Sequence, residues 1–468
     1  MNERRSTAWL LAALVSVAGC GGPPADGRLH VVLVVIDTTR SDAVGDHEGA
    51  PSPTPNLDRL AAEGVRYTHA RTTGAWTLPS HASLFTGLHV ARHGAHWDHR
   101  GLDDSLTTLA ELLQPSHETV GFSENPHIIR DTGFAQGFDH FDETWRFQRA
   151  FGVDPQTLEQ VERWLGKRDP SRPFFLFVNL MTAHLPFTPP ARFEKRLRPP
   201  GARPELIRRL WGFGEDQARL FMAGGLELDD EELRVLRGLY RAEVAYVDEQ
   251  VGRLLDAVER RVPKEQTLVA VVSDHGENLG EHGLMEHQLC LYETLLRVPL
   301  ILRLPGSFEG GERRAAPVQL TDLLPTILDA AGVALPGDLA VDGSSLVEAD
   351  PPAERPLLAE FRPGQENRRL FRRARPGFDF DPFDRRLWSV QRGDLKLILS
   401  DRGDAELYDL SRDPGETRNL AGERPEDVRR LAGDVLRGDS APAGAGAEPA
   451  FPLDDETREM LRRLGYVE

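Results

Sequence analysis

The sequence predicts an α/β fold: a large mixed, mostly parallel sheet flanked by helices, followed by a smaller C-terminal α+β subdomain. Three observations carry this expectation. Apolar, β-branched runs of five to seven residues recur along the first 300 positions. Amphipathic helical stretches separate them, an alternation that builds parallel sheets. After about residue 350 the texture changes to short strand-like segments.

The chain has 468 residues, with 40% hydrophobic and 28% charged side chains, the balance of a folded protein. Single cores seldom grow beyond roughly 250–300 residues. One large domain over 30–350 and a smaller part over 351–468 are therefore expected. The net charge is −18, which argues against a nucleic-acid partner, since duplex binding needs a basic face. A small anionic substrate stays compatible, because a metal and a few Arg or His reverse the field locally.

Residues 1–20 read as an export signal. Arg4 and Arg5 form a positive start, and Ala8 to Ala18 form an apolar run too short to span a bilayer. The run ends Val17-Ala18-Gly19-Cys20, which resembles a bacterial lipobox, a pattern whose Cys becomes the acylated mature N-terminus. Cys20 is then a lipid anchor, residues 21–29 are a flexible tether, and the protein is held at a bacterial membrane, in the periplasm or at the cell surface. The bland alternative is plain secretion after cleavage at Ala or Gly. The other cysteine, Cys290, sits in an apolar stretch and reads as a buried thiol.

His30–Ile36 is apolar at every position after the first, the pattern of a strand buried on both faces. Phe174–Val178, Thr267–Val272 and Val298–Arg303 repeat it. Helical spacing covers Asn56–Glu63, Glu231–Arg260 and Thr321–Ala331, the last closed by Gly332. Residues 185–230, rich in Pro, Arg and Phe, read as an inserted surface segment. Leu387–Leu399 and Glu406–Leu410 read as two antiparallel strands, and 439–452 as a low-complexity loop or linker.

The chemistry gathers at strand ends. The His30–Ile36 run stops at Asp37, and Thr267–Val272 stops at Ser273-Asp274-His275. Open α/β sheets bind ligands beyond the carboxyl ends of their strands. Two carboxylates and an imidazole there make a candidate divalent-metal site. The bland reading of an Asp at a strand end is a turn or cap. In Thr73-Gly-Ala-Trp-Thr77-Leu-Pro79-Ser80-His81, Pro79 predicts that Thr77 lies just before a helix N-terminus. Unfilled N–H groups and the helix dipole there favour an anion. A hydroxyl touching a metal loses its proton more easily. The alternative is that Thr77 is only a cap.

These stretches, in order, resemble the sulfatase family of the alkaline phosphatase superfamily. The matching segments are Val31–Asp42, Thr54–Leu60, Thr77-Leu-Pro79-Ser80-His81 through Gly87, His184–Phe187, Asp274–Gly283, Tyr292 to Ile301, and Glu406–Leu410 with Asp413-Pro414 and Asn419-Leu420. The resemblance implies a hydrolase of sulfuric or phosphoric esters that uses one divalent metal. It implies that Asp37, Asp274 and His275 bind that metal, with Thr38 in a slot often held by a second Asp and Thr77 at the nucleophile position. It places His184 beside the leaving group, makes His81 a further catalytic candidate, and offers Arg40, His93, His282 and His287 as substrate-binding candidates. The implied partners are an anionic ester and, through the N-terminal lipid, a membrane.

The chain departs from the family signature at several points. That signature begins with a Cys or Ser that becomes formylglycine and ends with Arg; here the two positions hold Thr77 and His81. A cationic position after Thr86-Gly87 holds Leu88, and a downstream Lys slot holds Gln288. A Thr ester cannot collapse to an aldehyde, so a phospho-Thr77 intermediate is expected over ordinary sulfate release. The histidine in the metal set favours Mn or Zn, with Ca or Mg as alternatives. Competing expectations are a phosphotransferase or phosphodiesterase of the same superfamily, and a catalytically silent binding lipoprotein.

Overall fold

The protein is described by a computed structural model covering residues 29–45, 51–99, 101–147, 156–304 and 306–437. The expected signal segment, Cys20, nearly all of the tether and the 439–452 tract lie outside the described residues.

Eight strands form the main sheet, in the order Glu312–Arg314, Val65–Tyr67, Leu300–Arg303, Thr267–Val272, His30–Ile36, Phe174–Leu180, Glu118–Ser123, His140–Glu143. His30–Ile36 runs parallel to both neighbours, with Val31 opposite Phe175 on one side and Leu268 on the other. Leu300–Arg303 is antiparallel to both of its neighbours, which makes the sheet mixed. The central strand is buried throughout because both of its faces are covered. Val31, Leu33 and Val35 enter one core, and Val32, Val34 and Ile36 enter the other, as a period of two requires.

The long helix Asp230–Glu259 covers the second face, within a residue of its expected bounds. Asp229 and Glu232 close its start with a reciprocal capping box, and three acidic residues lie in its first turn. Helix Thr77–Thr86 is buried along its whole length against the first face. It ends at Gly87, whose φ of 69° is a left-handed stop that glycine adopts without strain.

Two expectations are corrected. Segment 185–230 is no surface insert: it forms three short helices, Ala191–Leu197, Pro204–Leu210 and Glu215–Met222. Phe187, Leu206, Ile207, Leu210 and Phe213 are buried in the second core. Leu387–Leu399 is not one strand but a hairpin, Leu387–Arg392 paired with Leu395–Ser400, turned through Gly393 at φ 57°. Leu357–Phe361 and Ala405–Asp409 complete this four-stranded antiparallel sheet, covered by helix Pro425–Arg437.

The two sheets are locked together. Glu360 N–H donates to Thr73 O at 3.0 Å, in the loop leading to Thr77. Lys396 Nζ lies 3.0 Å from Glu293 and 2.7 Å from Glu416, and Arg71 meets Glu293 at 2.5 Å.

Candidate active site

Adjacent parallel strands bring Asp37 and Asp274 out side by side at their carboxyl ends. His275 follows at once, and the three ligand atoms lie within 4.8 Å of one another. His275 Nε2 is 3.3 Å from Asp274 Oδ2 and 3.8 Å from Asp37 Oδ1. All three side chains are fully buried. His275 Nδ1 meets Gly276 O at 2.9 Å, which leaves Nε2 bare toward the carboxylates. Asp274 Oδ1 accepts from the N–H groups of His275 and Thr38, at 2.9 and 3.3 Å.

Thr77 is the first residue of its helix, with Trp76 in extended backbone as the cap, so it sits one position further in than the sequence predicts. Its Oγ1 is 3.4 Å from His275 Nε2 and 3.4 Å from Asn125 Nδ2. Asn125 Nδ2 also donates to Asp37 Oδ2 at 2.7 Å. One amide therefore holds both a metal-ligand candidate and the hydroxyl.

A cation fits this set. Asp37 Oδ1, Asp274 Oδ2 and Thr38 Oγ1 are buried and accept no hydrogen bond among the described residues. Such orphaned acceptors are costly unless an ion takes them up. Burial raises the Asp37 carboxyl, and burial and then the Asp37 charge push Asp274 well above its ordinary range. Burial, followed by the neighbouring imidazoles, holds His275 well below its ordinary value and favours the neutral form that a metal ligand needs. Two carboxylates and one imidazole suit a transition ion. Thr38 has φ 52°, an uncommon conformation for a threonine and a place where backbone strain is stored.

The hydroxyl faces a cavity of 420 Å³. His184 and His287 both line it. The His287 ring stacks on His275 with centroids 4.6 Å apart and meets His184 at 4.8 Å. His287 Nδ1 is 3.3 Å from Glu277 Oε2, and burial pushes that carboxyl up to about 8. His184 Nδ1 meets Leu185 O at 2.6 Å. Burial lowers the His184 imidazole's affinity for a proton, but Asp37, Glu215 and Glu277 together outweigh it and leave it raised.

The other sequence candidates fall elsewhere. His81 lies beneath Thr77 on the same helix face and does not line the cavity. Its Nδ1 is 2.9 Å from Thr77 O and 3.4 Å from Asp274 Oδ2, and burial lowers it to about 4. Arg40 does not line the cavity, and its guanidinium meets Asp42 at 2.6 Å and Glu281 at 2.8 Å. His93 is buried behind the helix, bonded to Ser83 Oγ at 3.0 Å and to Ala95 N–H at 3.0 Å. His282 stacks on Tyr292 with centroids 3.9 Å apart, away from the cavity.

Sequence reasoning missed Asn125 and the walls Trp76, Trp97, Glu215, Arg219 and Glu286. Asn125 follows Glu118–Ser123, a strand interrupted by Gly121 and polar at both ends, so no apolar run announces it.

The sulfatase family's sequence profile matches residues 30–333. The chain belongs to the sulfatase family, whose members are hydrolases of ester bonds that use a divalent metal. It is 28% identical to the uncharacterized sulfatase YidJ of Escherichia coli, over 87% of this chain and 86% of that protein. It is 24% identical to an N-acetylglucosamine-6-O-sulfatase of Bacteroides thetaiotaomicron, over 90% and 88%. The solved phosphonate monoester hydrolase of Agrobacterium radiobacter shares the fold with TM-score 0.69 at 23% identity, covering 88% of this chain and 96% of that one.

Proposed function

We propose that this protein is an exported, metal-dependent hydrolase of sulfuric or phosphoric esters in which Thr77 is the nucleophile. The observation that carries the reading is the approach of Thr77 Oγ1 to within 3.4 Å of His275 Nε2, inside the buried Asp37–Asp274–His275 cluster. Asp37, Asp274 and His275 hold one divalent ion, Mn or Zn in preference to Ca or Mg, and Thr38, whose N–H donates to Asp274 Oδ1 at 3.3 Å, lies beside them. When bound, the ion supplies Lewis acidity that favours the ionised hydroxyl and screens the ester's charge.

The chain's own groups do the rest. Asn125 Nδ2 fixes Thr77 against Asp37. The start of helix Thr77–Thr86 offers unfilled N–H groups to the ester's anionic oxygens. Thr77 Oγ1 gives up its proton to solvent and bonds to phosphorus as the bond from phosphorus to the alcohol oxygen breaks. His184, with Nδ1 engaged by Leu185 O, delivers a proton from Nε2 to the departing alcohol. Water then attacks the phospho-Thr77 ester, freeing phosphate and restoring the hydroxyl. A threonine ester cannot expel sulfate by forming an aldehyde, which favours phosphoric over sulfuric esters.

Turnover of p-nitrophenyl phosphate, phosphodiester, phosphonate and sulfate by the metal-loaded protein tests this. Thr77→Ala is expected to abolish turnover while leaving the fold and metal content intact. Retained activity removes Thr77 from the mechanism, and metal uptake with no turnover on any ester favours a binding protein. Anchoring through Cys20 predicts an acylated mature N-terminus by mass spectrometry, and release of the protein from membranes by Cys20→Ala.

A further inference from the structure

A second cavity, of 180 Å³, lies between the long helix Asp230–Glu259 and the turn that follows Asp37. It shares no lining residue with the cavity in front of Thr77. Tyr240 ties it to the back of the metal loop: its OH accepts from Arg40 N–H at 2.8 Å and donates to Thr38 O at 2.9 Å. Five charged side chains line it, Arg40, Arg237 and Arg241 against Asp42 and Glu281. Both carboxylates are spent on Arg40. Asp42 takes its Nε at 2.8 Å and its Nη2 at 2.6 Å, and Glu281 Oε1 takes its Nη1 at 2.8 Å. Glu281 Oε2 accepts the Leu279 N–H at 2.6 Å. Arg237 gives its Nε to Leu279 O at 3.1 Å and reaches Glu281 only at 3.9 Å. Arg241 Nε is buried and has no hydrogen-bond partner among the described residues. One guanidinium charge is therefore left over. Arg237 and Arg241 stand four residues apart on one helix face, where like charges repel and destabilise the helix.

We propose that this cavity binds a free tetrahedral oxyanion, inorganic phosphate or sulfate, between the Arg237 and Arg241 guanidiniums. An anion there turns the repulsion between the two side chains into attraction for a shared partner. The guanidinium fork matches such an ion, with paired N–H groups meeting paired oxygens. The cavity's 180 Å³ is below the roughly 300–1,000 Å³ of sites for drug-sized ligands, which limits the occupant to a small ion. The chain's net charge of −18 does not oppose this, because the local field decides where an ion settles. The site needs neither the metal nor Thr77, so it stands apart from the hydrolase reading.

The test is calorimetric titration of the full chain with inorganic phosphate after chelation, which takes the metal cluster out of the count. One phosphate is expected per chain. Arg241→Gln should weaken binding about ten-fold or more, and Arg237→Gln serves if that variant melts early. Glu281→Gln keeps the shape and removes a negative charge, so it should tighten binding, an effect that damage to the fold does not produce. Arg253→Gln, on the same helix outside the cavity, should leave the affinity unchanged. No binding at millimolar phosphate overturns the proposal. So does equal affinity of the parent and Arg241→Gln, or an equal loss in Arg253→Gln. Tighter binding of glycerol 1-phosphate than of inorganic phosphate overturns the assignment to a free ion. Ester turnover by the metal-loaded protein is measured separately, and its presence or absence leaves each of these outcomes readable.

Discussion

Replacing Thr77 by serine keeps the hydroxyl and removes a methyl group, whereas alanine removes the oxygen itself. Serine is therefore expected to retain turnover, and alanine to lose at least about a thousand-fold in kcat, a split that a purely structural role would not produce. Asn125 touches Asp37 and Thr77 but takes no proton, so Asn125→Ala should weaken metal affinity by about 10–100-fold in a metal titration. Glu243 gives a stability test away from the site. Burial raises its carboxyl from 4.5 to about 8, although it accepts the Thr188 N–H. A raised carboxyl stabilises the fold below its ordinary value, and that contribution is lost as pH climbs through about 8. The melting temperature should fall between those limits and fall less in Glu243→Gln; parallel curves would refute the assignment. The buried cluster was legible residue by residue, because Asp37 and Ser273-Asp274-His275 each follow an apolar run, and the structure brings Asp37, Asp274 and His275 within 4.8 Å of one another. Arg40, His93 and His282 lie outside the cavity lining, against Asp42, Ser83 and Tyr292, contacts that sequence does not show.

The elements that matter most were legible where apolar periodicity is strong. The long helix and the strands His30–Ile36 and Thr267–Val272 lie within a residue of expectation, because burial on both faces or along one stripe leaves an unbroken pattern. The hairpin at Gly393 was hidden because only Gly393-Asp394 separates its two strands. The helices of 185–230 were hidden because Pro and Arg crowd the segment and interrupt any apolar stripe. That segment matters, since helix Glu215–Met222 carries Glu215 and Arg219 into the cavity. Gly276 offers a test of how rigidly the metal loop must sit. A Cβ there would stand 2.0 Å from Thr294 O, a backbone atom that cannot swing away. Gly276→Ala should displace His275, lowering metal content and turnover together; unchanged metal binding would show that the loop tolerates the shift.

At the scale of the whole molecule, the C-terminal sheet steadies the loop before Thr77 through Glu360 and through the buried Lys396–Glu293–Arg71 network. Removing Lys396 leaves Glu293 and Glu416 short of a cation in a buried place, which costs about 3–5 kcal/mol. Lys396→Met should therefore lower the denaturant midpoint well before it alters the metal site's affinity. Cation binding to the folded state alone also makes stability depend on metal, adding roughly 2.7 kcal/mol at a hundred-fold excess over Kd, and chelation should reverse it. The most direct measurement is anomalous diffraction at the absorption edge of Mn or Zn from the metal-loaded crystalline protein. We expect one peak bounded by the Asp37 and Asp274 carboxylates and His275 Nε2, with the Thr77 oxygen beside it. A cation bound elsewhere, or a Thr77 side chain turned away from that peak, would contradict the proposed chemistry.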